Sequence, residues 1–189
     1  VVTGDATQVD VPGGRSGISG IEEILGDIDG LAFVRLTGRD VTLRGVHRDS
    51  VVIDTRAGYG ILVEDCENCR ISGLTITGGT RDDDGRATSA AVVVRRSTVI
   101  IEDCIIRDNI GDSATVARTV VGVIGIAGRE GANITVRNCE IRRNSWDGIA
   151  LYRGARAHIA DNVIDGVDKA SGARIGGGRG VGIGLTWDA

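Results

Sequence analysis

The sequence predicts an all-β solenoid: short strands, three to a coil, stacked so that equivalent positions of successive coils fall in one column. Three observations predict it. Five apolar triplets recur, Ile61-Leu62-Val63, Val92-Val93-Val94, Ile124-Gly125-Ile126, Ile149-Ala150-Leu151 and Ile183-Gly184-Leu185, and self-similarity at such a period marks a repeat architecture. Each of the first four triplets is followed by a second motif of two inward residues, a polar corner and two more inward residues. Finally, aromatic residues are only 3% of the chain while Gly supplies 30 of 189 residues, so the core must be thin, regular layers of Val, Ile, Leu and Ala.

The second motif reads Cys69-Arg70-Ile71 then Leu74-Thr75-Ile76; Val99-Ile100-Ile101 then Cys104-Ile105-Ile106; Ile134-Thr135-Val136 then Cys139-Glu140-Ile141; and Ala157-His158-Ile159 then Asn162-Val163-Ile164. Its corner is Ser72-Gly73, Glu102-Asp103, Arg137-Asn138 and Ala160-Asp161, with a looser earlier copy at Val41-Thr42-Leu43, Arg44-Gly45, Val46. Side chains alternate faces along a strand, so a two-residue slip at a bend keeps the apolar set inward on both sides of it. Gly, Asp and Asn are the residues that tolerate the left-handed backbone such a bend requires. Stacking then predicts two apolar columns, Ile71, Ile101, Val136, Ile159 and Ile76, Ile106, Ile141, Ile164, each side chain contributing roughly 1.5–3 kcal/mol on burial. A β-sandwich is the competing architecture, but its hairpins need Asn-Gly or Asp-Gly turns between paired strands, and these are missing where that fold requires them.

These repeats resemble the right-handed parallel β-helix of the pectate-lyase-like superfamily, over roughly residues 31–189. The resemblance implies a single-stranded right-handed parallel β-helix of about five coils, with the triplets in the first sheet and the strands on either side of the tight corner in the second and third. The expected organisation is one domain, a cap over 1–30 and coils over 31–189. A stacked core needs a lid, and Ile18, Ile21, Ile24, Leu25 and Ile28 have helical spacing behind a Ser19–Glu22 capping box. "GIGLTWDA" ends in mid-coil, so continuation beyond Ala189 is expected.

A net charge of −4 and a pI near 5.2 leave no basic stripe for nucleic acid. No apolar run approaches membrane-spanning length. The four cysteines read as buried free thiols acting as small apolar residues: stacked parallel positions hold Cβ atoms too far apart for a good disulfide, and the sulfurs point from different sheets, against a zinc site. His47 and His158 read as surface residues. "GGGRG" at 176–180 lacks the Lys-Ser or Lys-Thr and following helix of a phosphate loop.

In enzymes of the resembled superfamily, substrate lies along the outside of the first sheet. The outward centres of the triplets here are Leu62, Val93, Gly125, Ala150 and Gly184, none able to transfer a proton. The next outward column is Glu64, Arg95, Ala127, Tyr152 and Thr186, and the corner beyond it Asp65, Arg96, Gly128, Arg153 and Trp187. Glu64 and Arg95 are read as a uronate- or hydroxyl-holding pair, with an exposed ion pair between coils as the simpler account. Trp146 and Asp147, beside Tyr152 and Arg153, and Trp187 offer rings that stack on sugar faces, with loop packing as the alternative for Trp146. Asp82, Asp83 and Asp84 form a weak calcium candidate without the alternate spacing of a calcium loop; no other cofactor is expected.

The catalytic motifs of the resembled superfamily are absent: no Asn-Thr-Asp, Gly-His-Gly or Arg-Ile-Lys, no Arg-x-Pro-x-x-Arg, no Asp-Pro-His-Glu. The functional expectation is therefore an extracellular, periplasmic or surface β-helix that binds polysaccharide, and that processes it as a lyase or glycoside hydrolase only through divergent machinery. The alternative is a non-catalytic structural or adhesive solenoid binding a protein partner. Neither nucleic acid nor membrane insertion is expected.

Overall fold

The computed structural model describes residues 34–81, 89–111, 122–165 and 181–186. Five three-stranded coils follow one another: β1 (Val34–Arg39), β2 (Thr42–Arg44) and β3 (Val52–Asp54); β4 (Tyr59–Glu67), β5 (Cys69–Ser72) and β6 (Thr75–Thr77); β7 (Ala90–Arg95), β8 (Thr98–Glu102) and β9 (Ile105–Arg107); β10 (Ile124–Arg129), β11 (Asn133–Arg137) and β12 (Glu140–Arg142); β13 (Ile149–Tyr152), β14 (Arg156–Ala160) and β15 (Val163–Asp165). A sixth coil opens with β16 (Ile183–Thr186). The strands stack into three sheets, ordered β1-β4-β7-β10-β13-β16, β14-β11-β8-β5-β2 and β15-β12-β9-β6-β3. Every pairing is parallel, which excludes the antiparallel sandwich. The expected cap helix within 1–30 lies outside the described residues.

Both apolar columns form. Ile71, Ile101, Val136 and Ile159 pair in register, extended by Leu43; Ile76, Ile106, Ile141 and Ile164 do the same, extended by Ile53. Their central members are fully buried. The tight corner between second and third sheets adopts the left-handed backbone at Gly73, Asp103, Asn138 and Asp161, with φ of 67°, 52°, 56° and 56°. Residue types, bend and column thus agree.

Three sequence readings are corrected. The third triplet is Ile126-Ala127-Gly128, not Ile124-Gly125-Ile126, because Ile126, Ala127 and Gly128 pair with Val92, Val93 and Val94. Gly128 holds an inward position since Ile134 and Leu151 fill the space: a Cβ there would lie 2.7 Å from Ile134 Cδ1 and 2.9 Å from Leu151 Cδ2. Second, Val46 does not follow the corner of the first coil; it is 90% exposed, and the chain makes an excursion before β3 supplies Ile53 instead. Third, Cys66 and Cys69 form a disulfide with Cα atoms 6.2 Å apart, inside the usual 4.4–6.8 Å range. Stacked positions of neighbouring coils hold Cβ atoms too far apart for such a bond, whereas this bridge closes within one coil across Asn68, whose φ is 55°.

Cys104 and Cys139 are free and buried, on consecutive coils. Hydrogen bonding with Cys139, then burial, pushes the Cys104 thiol well above its ordinary range, so it stays protonated and serves as a small apolar side chain. At the end of the third sheet the stack turns polar inside. Asn109 and Asn144 are fully buried: Asn109 Oδ1 accepts from the Gly79 amide (2.9 Å), Asn109 Nδ2 donates to Asn144 Oδ1 (2.8 Å), and Asn144 Nδ2 donates to the Ile106 carbonyl (3.2 Å). The amide column satisfies corner backbone groups that the sheets cannot reach.

Replacing Ile106 by Ala should lower stability by about 2–5 kcal/mol, read as a shift of the urea midpoint, whereas Val163→Ala, at a side chain 63% exposed, should change it by less than about 0.5 kcal/mol; equal effects would contradict the column. Thiol titration in denaturant without reductant should count the two free cysteines, Cys104 and Cys139, and reduction should add Cys66 and Cys69. Full reactivity before reduction would rule out the bridge.

Candidate functional site

The corrected register redraws the outer surface of the first sheet. Its central outward column is Leu62, Val93, Ala127, Ala150 and Gly184. Four of these, all but Gly184, join Ala90, Ile124 and Tyr152 in a second apolar cluster outside the coil, against which Tyr59 and Trp146 pack. Val93, Ala127 and Ala150 are fully buried, so the middle of this face is closed rather than an open trough. Trp146 is half-buried and Tyr152 buried; both rings contribute to this seal. Asp147 is fully buried, and a Cβ on Gly184 would lie 2.9 Å from its Oδ2. Trp187 and the Asp82, Asp83, Asp84 cluster lie outside the described residues.

The polar column beside the seal is Glu64, Arg95, Arg129 and Tyr152, and the corner beyond it is Asp65, Arg96, Glu130 and Arg153. Arg129 and Glu130 escaped sequence reading because the third triplet was taken two residues early; the signal available was the Arg95-Arg96 pair, which aligns with Arg129-Glu130 once Gly128 is allowed inward. All four corner residues are left-handed, with φ of 52°, 45°, 45° and 51°. A shared backbone state aims their side chains alike, one coil above another.

Charges on this edge alternate in sign and interlock. Arg96 donates to Asp65 through Nε (2.7 Å) and Nη2 (3.0 Å), and to Glu64 Oε1 (2.8 Å). Arg95 lies 3.2 Å from Glu64 and 3.1 Å from Glu130. Glu130 also receives Arg153 at 2.9 Å and Arg129 at 3.4 Å. The Glu64–Arg95 contact expected from sequence is therefore present, but within a network and with Glu64 only 10% exposed rather than at the surface. Burial alone would raise the Glu130 carboxyl; Arg129, Arg153 and Arg95 outweigh it and hold it below the ordinary carboxylate range. Such a group is a fixed anion, not a proton donor at neutral pH. Arg153 is 60% exposed, so solvent reaches its side chain beside the Glu130 contact. Among the described residues no cluster of His, Cys, Asp and Glu converges on a metal position, and His47 and His158 are exposed.

The linkage sign follows from the lowered Glu130 pKa. Its contribution is complete above the unfolded carboxylate value of ~4.3 and fades as pH falls through its lower folded value. Glu130→Gln should therefore destabilise at pH 7 and narrow the difference from wild type near pH 3; urea midpoints at both pH values test this, and a difference independent of pH would contradict it.

A family model described as a right-handed beta helix region matches residues 32–186. Over 61 residues the chain is 48% identical to PhoH-like proteins of Mycobacterium bovis (strain ATCC BAA-935 / AF2122/97) and of Mycobacterium tuberculosis (strains CDC 1551 / Oshkosh and ATCC 25618 / H37Rv), covering 31% of this chain and 16% of each relative. The chain thus spans a small fraction of the curated relatives it matches. No solved structure matches it.

Proposed function

Because the chain belongs to the right-handed beta helix family, we propose that it is a β-helix that binds polysaccharide outside the cytoplasm, the ligand class its pectate-lyase-like resemblance suggests. The observation that carries this reading is the group of guanidinium side chains on the first-sheet edge, Arg95 and Arg96 on one coil, Arg129 on the next and Arg153 on the one after, the coils lying roughly 4.8 Å apart. A polymer presents hydroxyl and carboxylate groups at short regular intervals, and forked cations on three consecutive coils match such a target. Binding rather than turnover fits the acids of this edge: Glu64, Asp65 and Glu130 are each engaged by arginine, and a general acid needs a raised pKa. The Cys66–Cys69 disulfide supports an extracellular, periplasmic or surface location.

The PhoH-like relatives contribute nothing to this reading, since the shared stretch is 16% of their length. No cofactor is needed for it; retention abolished by chelation would assign calcium to Asp82, Asp83 and Asp84. A glycan array on the wild type, with a parallel assay for new reducing ends and unsaturated products, should show retention of at least one polysaccharide class without product. Arg153→Ala should weaken that retention roughly tenfold or more, the scale of a charge-assisted hydrogen bond, at little cost in stability. Failure to retain any glycan would favour a structural or adhesive solenoid with a protein partner.

A further inference from the structure

The first coil breaks the repeat on the opposite flank. Where the later coils turn from the second sheet to the third within two residues, the chain between β2 and β3 runs from Gly45 to Val51 before rejoining the column. This excursion is pinned. Thr75 Oγ1 donates to the Arg48 carbonyl (2.7 Å), and the Arg48 side chain reaches 92 residues along the chain, its Nη2 3.0 Å from Glu140 Oε1 and its Nη1 donating to the Asn138 carbonyl at 3.3 Å. A loop of the first coil is thereby fastened over the fourth. It forms a wall, topped by the exposed Val46, along a groove of about 760 Å³ whose floor is the outer surface of the second sheet.

The groove is polar and electrically lopsided along its length. Thr42 and Arg44 stand at the first-coil end, and among the described residues Arg44 has no ion-pair or hydrogen-bond partner. Arg70 and Arg137, in the middle, are both committed to Glu102. Toward the other end the corner contributes Asp103, 61% exposed and only loosely approached by Arg48 at 3.9 Å, Asn138, and Asp161, which has no partner among the described residues. The free cation and the free carboxylate are four coils apart, roughly 19 Å at the parallel-strand spacing.

Resting on the polysaccharide reading above, we infer that this second-sheet groove is a glycan subsite for a chain that carries acidic residues interspersed with neutral ones: Arg44 takes one carboxylate, and Asp103, Asn138 and Asp161 accept or share hydrogen bonds with neutral sugars. A uniformly acidic polymer would lay like charge against Asp103 and Asp161, and a neutral one would leave Arg44 unused. Selectivity then comes from attraction at one end and repulsion at the other. The left-handed corner at Asp161, φ 56°, tolerates Asn equally, so its charge can be removed without changing the bend.

The test measures affinities of the full chain for three fluorescent oligosaccharides of equal length: one alternating uronate with N-acetylhexosamine, one of uronate only, one neutral glucan. Wild type should bind the alternating oligomer best. Arg44→Gln should weaken that binding roughly tenfold or more and bring it level with the glucan, while Asp161→Asn should improve binding of the all-uronate oligomer. Both replaced side chains are exposed and unpaired, so circular dichroism and melting should be unchanged. If wild type binds one of these glycans and both variants match it, the groove assignment is wrong while the polysaccharide reading stands; if wild type binds none, both fall.

Discussion

In-register parallel stacking is the constraint on which the structure depends. Neighbouring coils donate to and accept from each other, as where Gly45 N donates to Ser72 O and Arg70 N to Val41 O, so a residue cannot slip by one along its strand without shifting every side chain of that strand to the wrong face. Inside, this forces like upon like: Ile76, Ile106 and Ile141 occupy one column because a single inward position has a single environment. β-Branched residues suit such positions, where a stiff side chain meets a copy of itself.

Outside, the same rule is a liability. Identical charges stacked at roughly 4.8 Å would repel, and the chain answers by alternating sign, as in Asp65, Arg96, Glu130 and Arg153. Where two arginines do stack, each has an acid within reach: Arg95 and Arg129 share Glu130, and Arg107 and Arg142 have Asp108 and Glu140. The corners obey an analogous logic. Their backbone groups lie beyond the sheets, and the Asn109–Asn144 column together with Ser145 supplies the partners, Ser145 Oγ accepting from the Val123 amide at 2.8 Å.

What was legible in the sequence follows from this periodicity. The two isoleucine columns and the tight corner could be read because apolar alternation, a two-residue slip and a left-handed residue type all coincide at Ile101-Glu102-Asp103-Cys104 and its equivalents. β10 was misread because Ile124-Gly125-Ile126 imitates the triplet pattern better than Ile126-Ala127-Gly128 does; only the side chains of Ile134 and Leu151, remote in sequence, reveal that a glycine can stand inward. The Cys66–Cys69 bridge is hidden for a similar reason, since it obeys a local geometry across one corner rather than the column periodicity. The closure of the first-sheet face involves Tyr59 and Trp146 packing against a cluster that holds Val93, Ala127 and Tyr152, contacts that no spacing within one strand encodes.

The consequence for function is that the repeat itself carries little of it. Columns that must match from coil to coil cannot distinguish one ligand from another, because every rung offers the same chemistry. Discrimination has to arise where the pattern is broken: an unpaired Arg44 in a groove where Arg70 and Arg137 are neutralised by Glu102, a carboxylate without a cation at Asp161, or a seven-residue detour where its counterparts are tight turns. The first-sheet edge repeats charge in alternating sign from coil to coil, whereas the groove under the 45–51 excursion has two distinguishable ends and therefore a direction. A solenoid that couples a periodic edge to one aperiodic pocket can grip a long chain and still sense which repeat unit it holds.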